Sequence, residues 1–132
     1  MIQNDVVLLA RHRLEQAYEC LKLAKAAIEL GFYKGAANRS YYAIFHGMRA
    51  ILAIDQYDSK KHSGIISEFR RAYIKTGKLP APLSKIIDNA FDMRQNSDYE
   101  DFFVISKSDI LHQIEDATNF LEAVEEYINT LT

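Results

Sequence analysis

Apolar positions along this chain recur at helical spacing almost from end to end. Leu14, Ala17, Leu21, Ala24 and Ile28 follow one another at steps of three and four, forming one stripe on a helix of 3.6 residues per turn. The pattern predicts a first helix from about Val6 to Leu30, closed by Gly31, which takes the left-handed conformation without steric cost. A second helix is predicted from Tyr33 to Ile54, and it is patterned on two sides. One face carries Tyr33, Ala37, Tyr41, Ile44, Met48 and Ile51; the opposite face carries Arg39, Tyr42, His46 and Arg49. Polar residues from Asp55 to Lys60 read as a loop. A third helix begins near Lys61 and stops before Gly77, with Ile65, Ile66, Phe69, Ala72 and Tyr73. Leu79-Pro80-Ala81-Pro82 breaks the chain, because each proline disfavours helix at the residue before it. Pro82 suits the first turn of a fourth helix, predicted over roughly Leu83 to Arg94. Gln95 to Ile105 is less regular. Ser106 with Asp109 resembles a capping box opening a fifth helix, whose stripe is Ile110, Ile114, Ala117, Leu121, Val124, Ile128 and Leu131. Long helices with short connections predict an all-α, up-down antiparallel bundle of about five helices, in one domain over residues 1–132.

Composition narrows the function classes. The chain has 132 residues, enough to bury a core without metal or disulfide. Five Gly and two Pro argue against a turn-rich β architecture. A formal net charge of -2 lacks the basic excess of a dedicated duplex-DNA binder, while leaving a local basic face open. The single cysteine, Cys20, sits in helical pattern and reads as packing; it can form neither an intrachain disulfide nor a zinc cluster. The apolar run Val6 to Ala10 is too short for a signal-peptide core, and no run reaches membrane-spanning length. The expected compartment is therefore the cytoplasm, and no cofactor or metal is expected. Phosphate-loop, nucleophile-turn and helical metal motifs are absent from the sequence.

Three short strings carry the remaining chemistry. The Arg39–Tyr42–His46–Arg49 stripe mixes cations for phosphates with rings for stacking on unpaired bases. The same residues equally describe a packed seam between helices, with Arg stems buried and their heads in water. Lys60-Lys61-His62 places cations at a helix start, against the helix dipole, as an anion-binding site or a solvated loop would. Arg94-Gln95-Asn96-Ser97-Asp98-Tyr99 offers Arg94 as a phosphate ligand, Asp98 as its orienting partner and Tyr99 as a nucleotide-positioning ring; an Arg94–Asp98 ion pair tying off a helix end is the structural alternative. His12 and His112 have no partner evident in the sequence.

The order and surroundings of Arg39-Ser40-Tyr41-Tyr42-Ala43-Ile44-Phe45-His46, His62-Ser63-Gly64 and Arg94 to Tyr99 resemble the HEPN domain, in particular its small standalone subfamily, over about Arg13 to Leu131. That resemblance implies a helical bundle that pairs as a homodimer. It implies a role in toxin–antitoxin, defence or RNA-processing systems, often beside a minimal nucleotidyltransferase acting as antitoxin. Active members carry an Arg followed, after four to six residues, by a His, and cleave RNA without metal. Here the Arg matches Arg94, but Tyr99 stands where a His is expected. Tyr, with a reference pKa of about 10, is a poor base at neutral pH. His46 is then a candidate to supply the imidazole from elsewhere in the chain. Three readings stay open: an RNA-associated protein, active or not as a metal-independent ribonuclease, with Arg94, Asp98 and Tyr99 at its centre; a non-catalytic dimer that binds a nucleotidyltransferase; and a nucleotide-binding domain that presents a ligand to that partner, with Arg39, Tyr42, His46, Arg49, Lys61 and His62 as the nucleic-acid or phosphate contacts of the first or third.

Overall fold

The structure, a computed structural model, describes residues 4–132. Five α-helices follow in order: α1 (Asn4–Glu29), α2 (Tyr33–Ile54), α3 (His62–Phe69), α4 (Pro82–Tyr99) and α5 (Lys107–Leu131). The all-α bundle expected from the periodicity is the architecture observed.

α2 lies at the centre and packs against each of the other four helices. Its composition explains why. Tyr41, Ala43, Ile44, Met48, Ala50, Ile51 and Leu52 are fully buried and occupy more than one face. A helix apolar on several sides must be covered on several sides. α5 lies close over Gly47, where an added methyl would stand 2.7 Å from Leu121 Cδ2.

Chain reversals are set by specific residues. After α1, the Phe32 N–H donates to the Ala27 carbonyl and the Gly31 N–H to that of Ile28, with Gly31 at φ +81°. This is a Schellman turn with glycine at its left-handed position. The same bonds recur after α2, from Tyr57 to Leu52 and from Gln56 to Ala53, but here the left-handed residue is Gln56, at φ 57°. Ser106 caps α5, its Oγ accepting from the Asp109 N–H at 3.0 Å.

Two elements depart from the pattern-based expectation. The third helix is not uniformly α: Arg70–Ile74 form a π-helical turn, in which the Lys75 N–H donates to the Arg70 carbonyl five residues back. Within this wider turn Tyr73 is buried on Phe69 and donates its hydroxyl to Asp55 at 2.7 Å, while Arg70 reaches the Ser84 carbonyl and Asp88 on α4. α4 also runs five residues beyond Arg94. Ser97 is buried and bonds back to the Met93 carbonyl at 2.6 Å, and Arg94 pairs with Asp98 one turn on. Polar side chains hid this last turn from the apolar pattern, yet they bond along the helix.

Candidate nucleic-acid interface

The site is built on one side of α2, where α1, α3 and α4 converge. Tyr41 and Tyr42 are adjacent on α2 and meet edge to face, ring centres 5.2 Å apart. Arg94 reaches over from α4 and sets its guanidinium 5.0 Å from the Tyr41 ring and 5.3 Å from the Tyr42 ring. Arg39 covers Tyr42 at 5.1 Å, its guanidinium held by Asn38 Oδ1 at 2.7 and 3.0 Å. These are cation–π contacts, which strengthen when partly desolvated.

Two imidazoles join the rings. His62, the first residue of α3, lies 4.1 Å from Phe45 centre to centre, and its Nδ1 is 3.1 Å from the Tyr41 hydroxyl. His46 packs against Tyr42 and Phe45. Its Nδ1 is sealed from solvent with no partner among the described residues. Burial lowers the His46 pKa, and the charges of Arg49, Arg39, Arg13 and His62 lower it further. Burial, then Arg94 and Arg49, lower that of His62. Both rings are therefore neutral at physiological pH. Burial pushes the Tyr41 hydroxyl up to about 12, against the opposing pull of Arg94, so it remains a protonated donor.

Cations outnumber anions here. Arg13 and Arg49 share one carboxylate, Asp58, at 3.5 and 3.3 Å. Arg94 has Asp98 at 3.4 Å, and Arg39 has a neutral partner. Burial would raise the Asp58 carboxyl, but the Ser59 backbone N–H and the Arg49 and Arg13 charges outweigh it and hold the group below its usual range. Four guanidinium groups thus face two carboxylates beside an aromatic floor. Such an arrangement suits a phosphate with an unpaired base.

The sequence-derived stripe Arg39, Tyr42, His46 and Arg49 is half-buried along its length and forms both a seam between helices and the wall of this cluster. His62 belongs to the cluster, whereas Lys61, the residue before α3, is exposed. The expected Arg94–Asp98 pair forms. Tyr99 is 73% exposed at the foot of α4 and lines a separate depression with Asn96, Glu100, Asp101, Phe102 and Phe103. Within one chain it does not join Arg94 at the rings. The imidazole bonded to the tyrosine under Arg94 is His62, while His46 lies against Tyr42 and Phe45. Tyr41, Arg13 and Asp58 escaped the sequence reading: Tyr41 sits on an apolar stripe, and Arg13 and Asp58 lie far from the other residues along the chain. His112 does have a partner, Asp116, at 3.6 Å. Cys20 is buried, and burial raises its thiol pKa, in keeping with packing. Among the described residues, no group of His, Cys, Asp and Glu could hold a metal, and no helix is long and apolar enough to cross a membrane.

A family model described as the HEPN domain matches residues 10–127. The chain belongs to the HEPN domain family. It is 34% identical over 128 residues to the UPF0332 protein of Thermotoga maritima, covering 97% of both chains. It is 31% identical over 117 residues to the UPF0332 protein of Archaeoglobus fulgidus, covering 89% of this chain and 93% of that one. A Methanocaldococcus jannaschii protein named as a candidate toxin is 30% identical over 115 residues, covering 87% of this chain and 78% of its own. The HEPN match begins within α1 and ends within α5, and it includes every residue of the aromatic and cationic cluster.

Proposed function

We propose that this HEPN protein is the toxin-like partner of a toxin–antitoxin module and acts on RNA through the cluster around Arg94. One observation carries the reading: the Arg94 guanidinium lies across Tyr41 and Tyr42, in a cluster of excess positive charge that also holds two neutral imidazoles. An arginine fork binds phosphate oxygens in pairs, and the half-buried Tyr42, unlike the fully buried Tyr41, keeps ring surface for an unpaired base. Proton transfer from a 2′-hydroxyl at neutral pH falls to an imidazole, which suits metal-independent cleavage. The Methanocaldococcus jannaschii relative named as a candidate toxin supports the module.

The test is cleavage of a mixed single-stranded RNA pool by the purified protein in EDTA, with Arg94→Ala alongside. Cutting by the wild type alone supports the ribonuclease reading. Binding without cutting, lost in Arg94→Ala, retains RNA as ligand and removes catalysis. RNA binding undiminished in Arg94→Ala overturns the site.

One feature favours a second reading. Tyr99 occupies the position where the resemblance calls for a His, and it faces outward beside exposed Phe102. A non-catalytic homodimer presenting this corner to a minimal nucleotidyltransferase would use Tyr99 as a contact. Retained pull-down of such a partner by Arg94→Ala, with loss in Tyr99→Ala, would select it.

A further inference from the structure

His62 has an unequal pair of ring nitrogens, and the inequality has a direction. Its Nδ1 is 3.1 Å from the hydroxyl of Tyr41, a residue with no solvent exposure. A buried hydroxyl needs an acceptor, and Nδ1 is the one within reach among the described residues. Arg94 lies over the same tyrosine and carries N–H donors only, so it cannot accept that proton. Tyr41 therefore donates, and Nδ1 is the bare nitrogen of the ring. The proton of a neutral His62 then sits on Nε2. Unlike Nδ1 of His46, Nε2 of His62 is not a sealed, unpartnered atom.

The surroundings fix the ring as well as its proton. Phe45 holds one face at 4.1 Å, and Tyr42 meets the ring edge to face at 5.8 Å. The charged and titratable groups acting on it are Arg49 and His46 from α2 and Arg94 from α4. The Arg charges and burial oppose protonation, so the ring stays a neutral donor in a cationic site.

Resting on the RNA-binding reading above, we propose that Tyr41 is a positioning residue that locks His62 with Nε2 protonated. His62 then donates that N–H to an RNA phosphate oxygen alongside the Arg94 guanidinium. Arg94 and His62 come from α4 and α3, so the phosphate is held by two helices, while Tyr41 on α2 orients the imidazole between them. The imidazole contributes direction without a second full charge. Of the two histidines in the cluster, His62 rather than His46 takes the phosphate contact.

The test uses the uniformly 15N-labelled full chain and a short 2′-O-methyl oligoribonucleotide, which cannot be cleaved through its 2′ position. Multiple-bond 15N–1H spectra near neutral pH should show His62 with a bare Nδ1 and a protonated Nε2. The opposite tautomer overturns the inference. Tyr41→Phe should convert this pattern to a mixture of tautomers, and an unchanged pattern removes the role of Tyr41. His62→Ala should weaken binding of the oligomer about tenfold, as loss of a hydrogen bond to a charged group does. His62→Gln, which keeps an N–H at similar reach, should retain most of the affinity. Circular dichroism of both variants shows whether the helices persist. If Arg94→Ala weakens binding and His62→Ala does not, the His62 assignment fails while the RNA-binding site stands. If the wild type does not bind the oligomer at all, both fail together.

Discussion

His46 and His62 show how burial and a crowd of cations act on a single side chain. An unfolded histidine titrates near 6.5, and both rings have lower values in the folded protein. Above about pH 6.5 both states are neutral, and the histidines add no pH dependence. Below it, the unfolded chain takes up protons that the folded one refuses, so stability falls as pH falls, until the folded pKa values are passed. Melting temperature should therefore drop between pH 7 and 5. Replacing His46 with Gln should flatten part of that slope, and replacing His62 should flatten another part. A slope identical in the His46 variant removes this account of the ring. The histidines were visible in the sequence, His46 on a helix face and His62 at a helix start. Their lowered pKa values were not, because these depend first on burial and then on Arg13, Arg39, Arg49 and Arg94, which arrive from three different helices.

At the scale of the element, helix ends make the sharpest predictions. Gly31 has φ +81° with open space around it, so alanine there meets no clash and costs only backbone strain, roughly 1 kcal/mol. Gln56 takes the equivalent turn position with a side chain, so Gln56→Gly should raise stability by up to about 1 kcal/mol. Opposite shifts in urea midpoint would verify the pair; equal signs would refute it. Removing the Ser106 cap with alanine should cost about 1 kcal/mol by the same measurement. Gly31 and Ser106 were legible because their residue types announce their role. Gln56 was not, since glutamine carries no turn signature. The π-helical turn at Arg70–Ile74 was also hidden, as its apolar spacing resembles that of an ordinary helix. The last turn of α4 was missed for the converse reason: Asp98 and Ser97 support it through bonds along the helix rather than through an apolar stripe.

For the molecule as a whole, the aromatic content is the informative quantity. Eight Tyr and seven Phe are more than one small core obviously requires. Most are in fact absorbed, with Tyr41, Phe45, Phe69, Tyr73 and Phe120 buried and others packed at their edges. Of the exposed aromatics, Phe32 lies at the turn between α1 and α2, while Tyr99 and Phe102 share the α4–α5 corner, Phe102 97% exposed and close in sequence to Val104, 85% exposed. Contiguous exposed apolar groups mark interaction surfaces. We expect a dimer at micromolar concentration by light scattering, and a monomer for Phe102→Asp, an outcome that reserves this corner for the second copy and counts against its use by a nucleotidyltransferase. A monomeric wild type would overturn the expectation.

Helical periodicity, the proline break and the glycine stop were enough to determine five helices and their order, because each is a local property of spacing or backbone freedom. The short strings on α2, α3 and α4 pointed to the HEPN family, because residue order survives in one dimension. Only the tertiary structure decided that a core tyrosine, Tyr41, lies beneath Arg94 and bonds to His62, and that Tyr99 faces away from them. Those relations join residues far apart in the chain, and they arise from how the helices pack around α2, which no local pattern encodes.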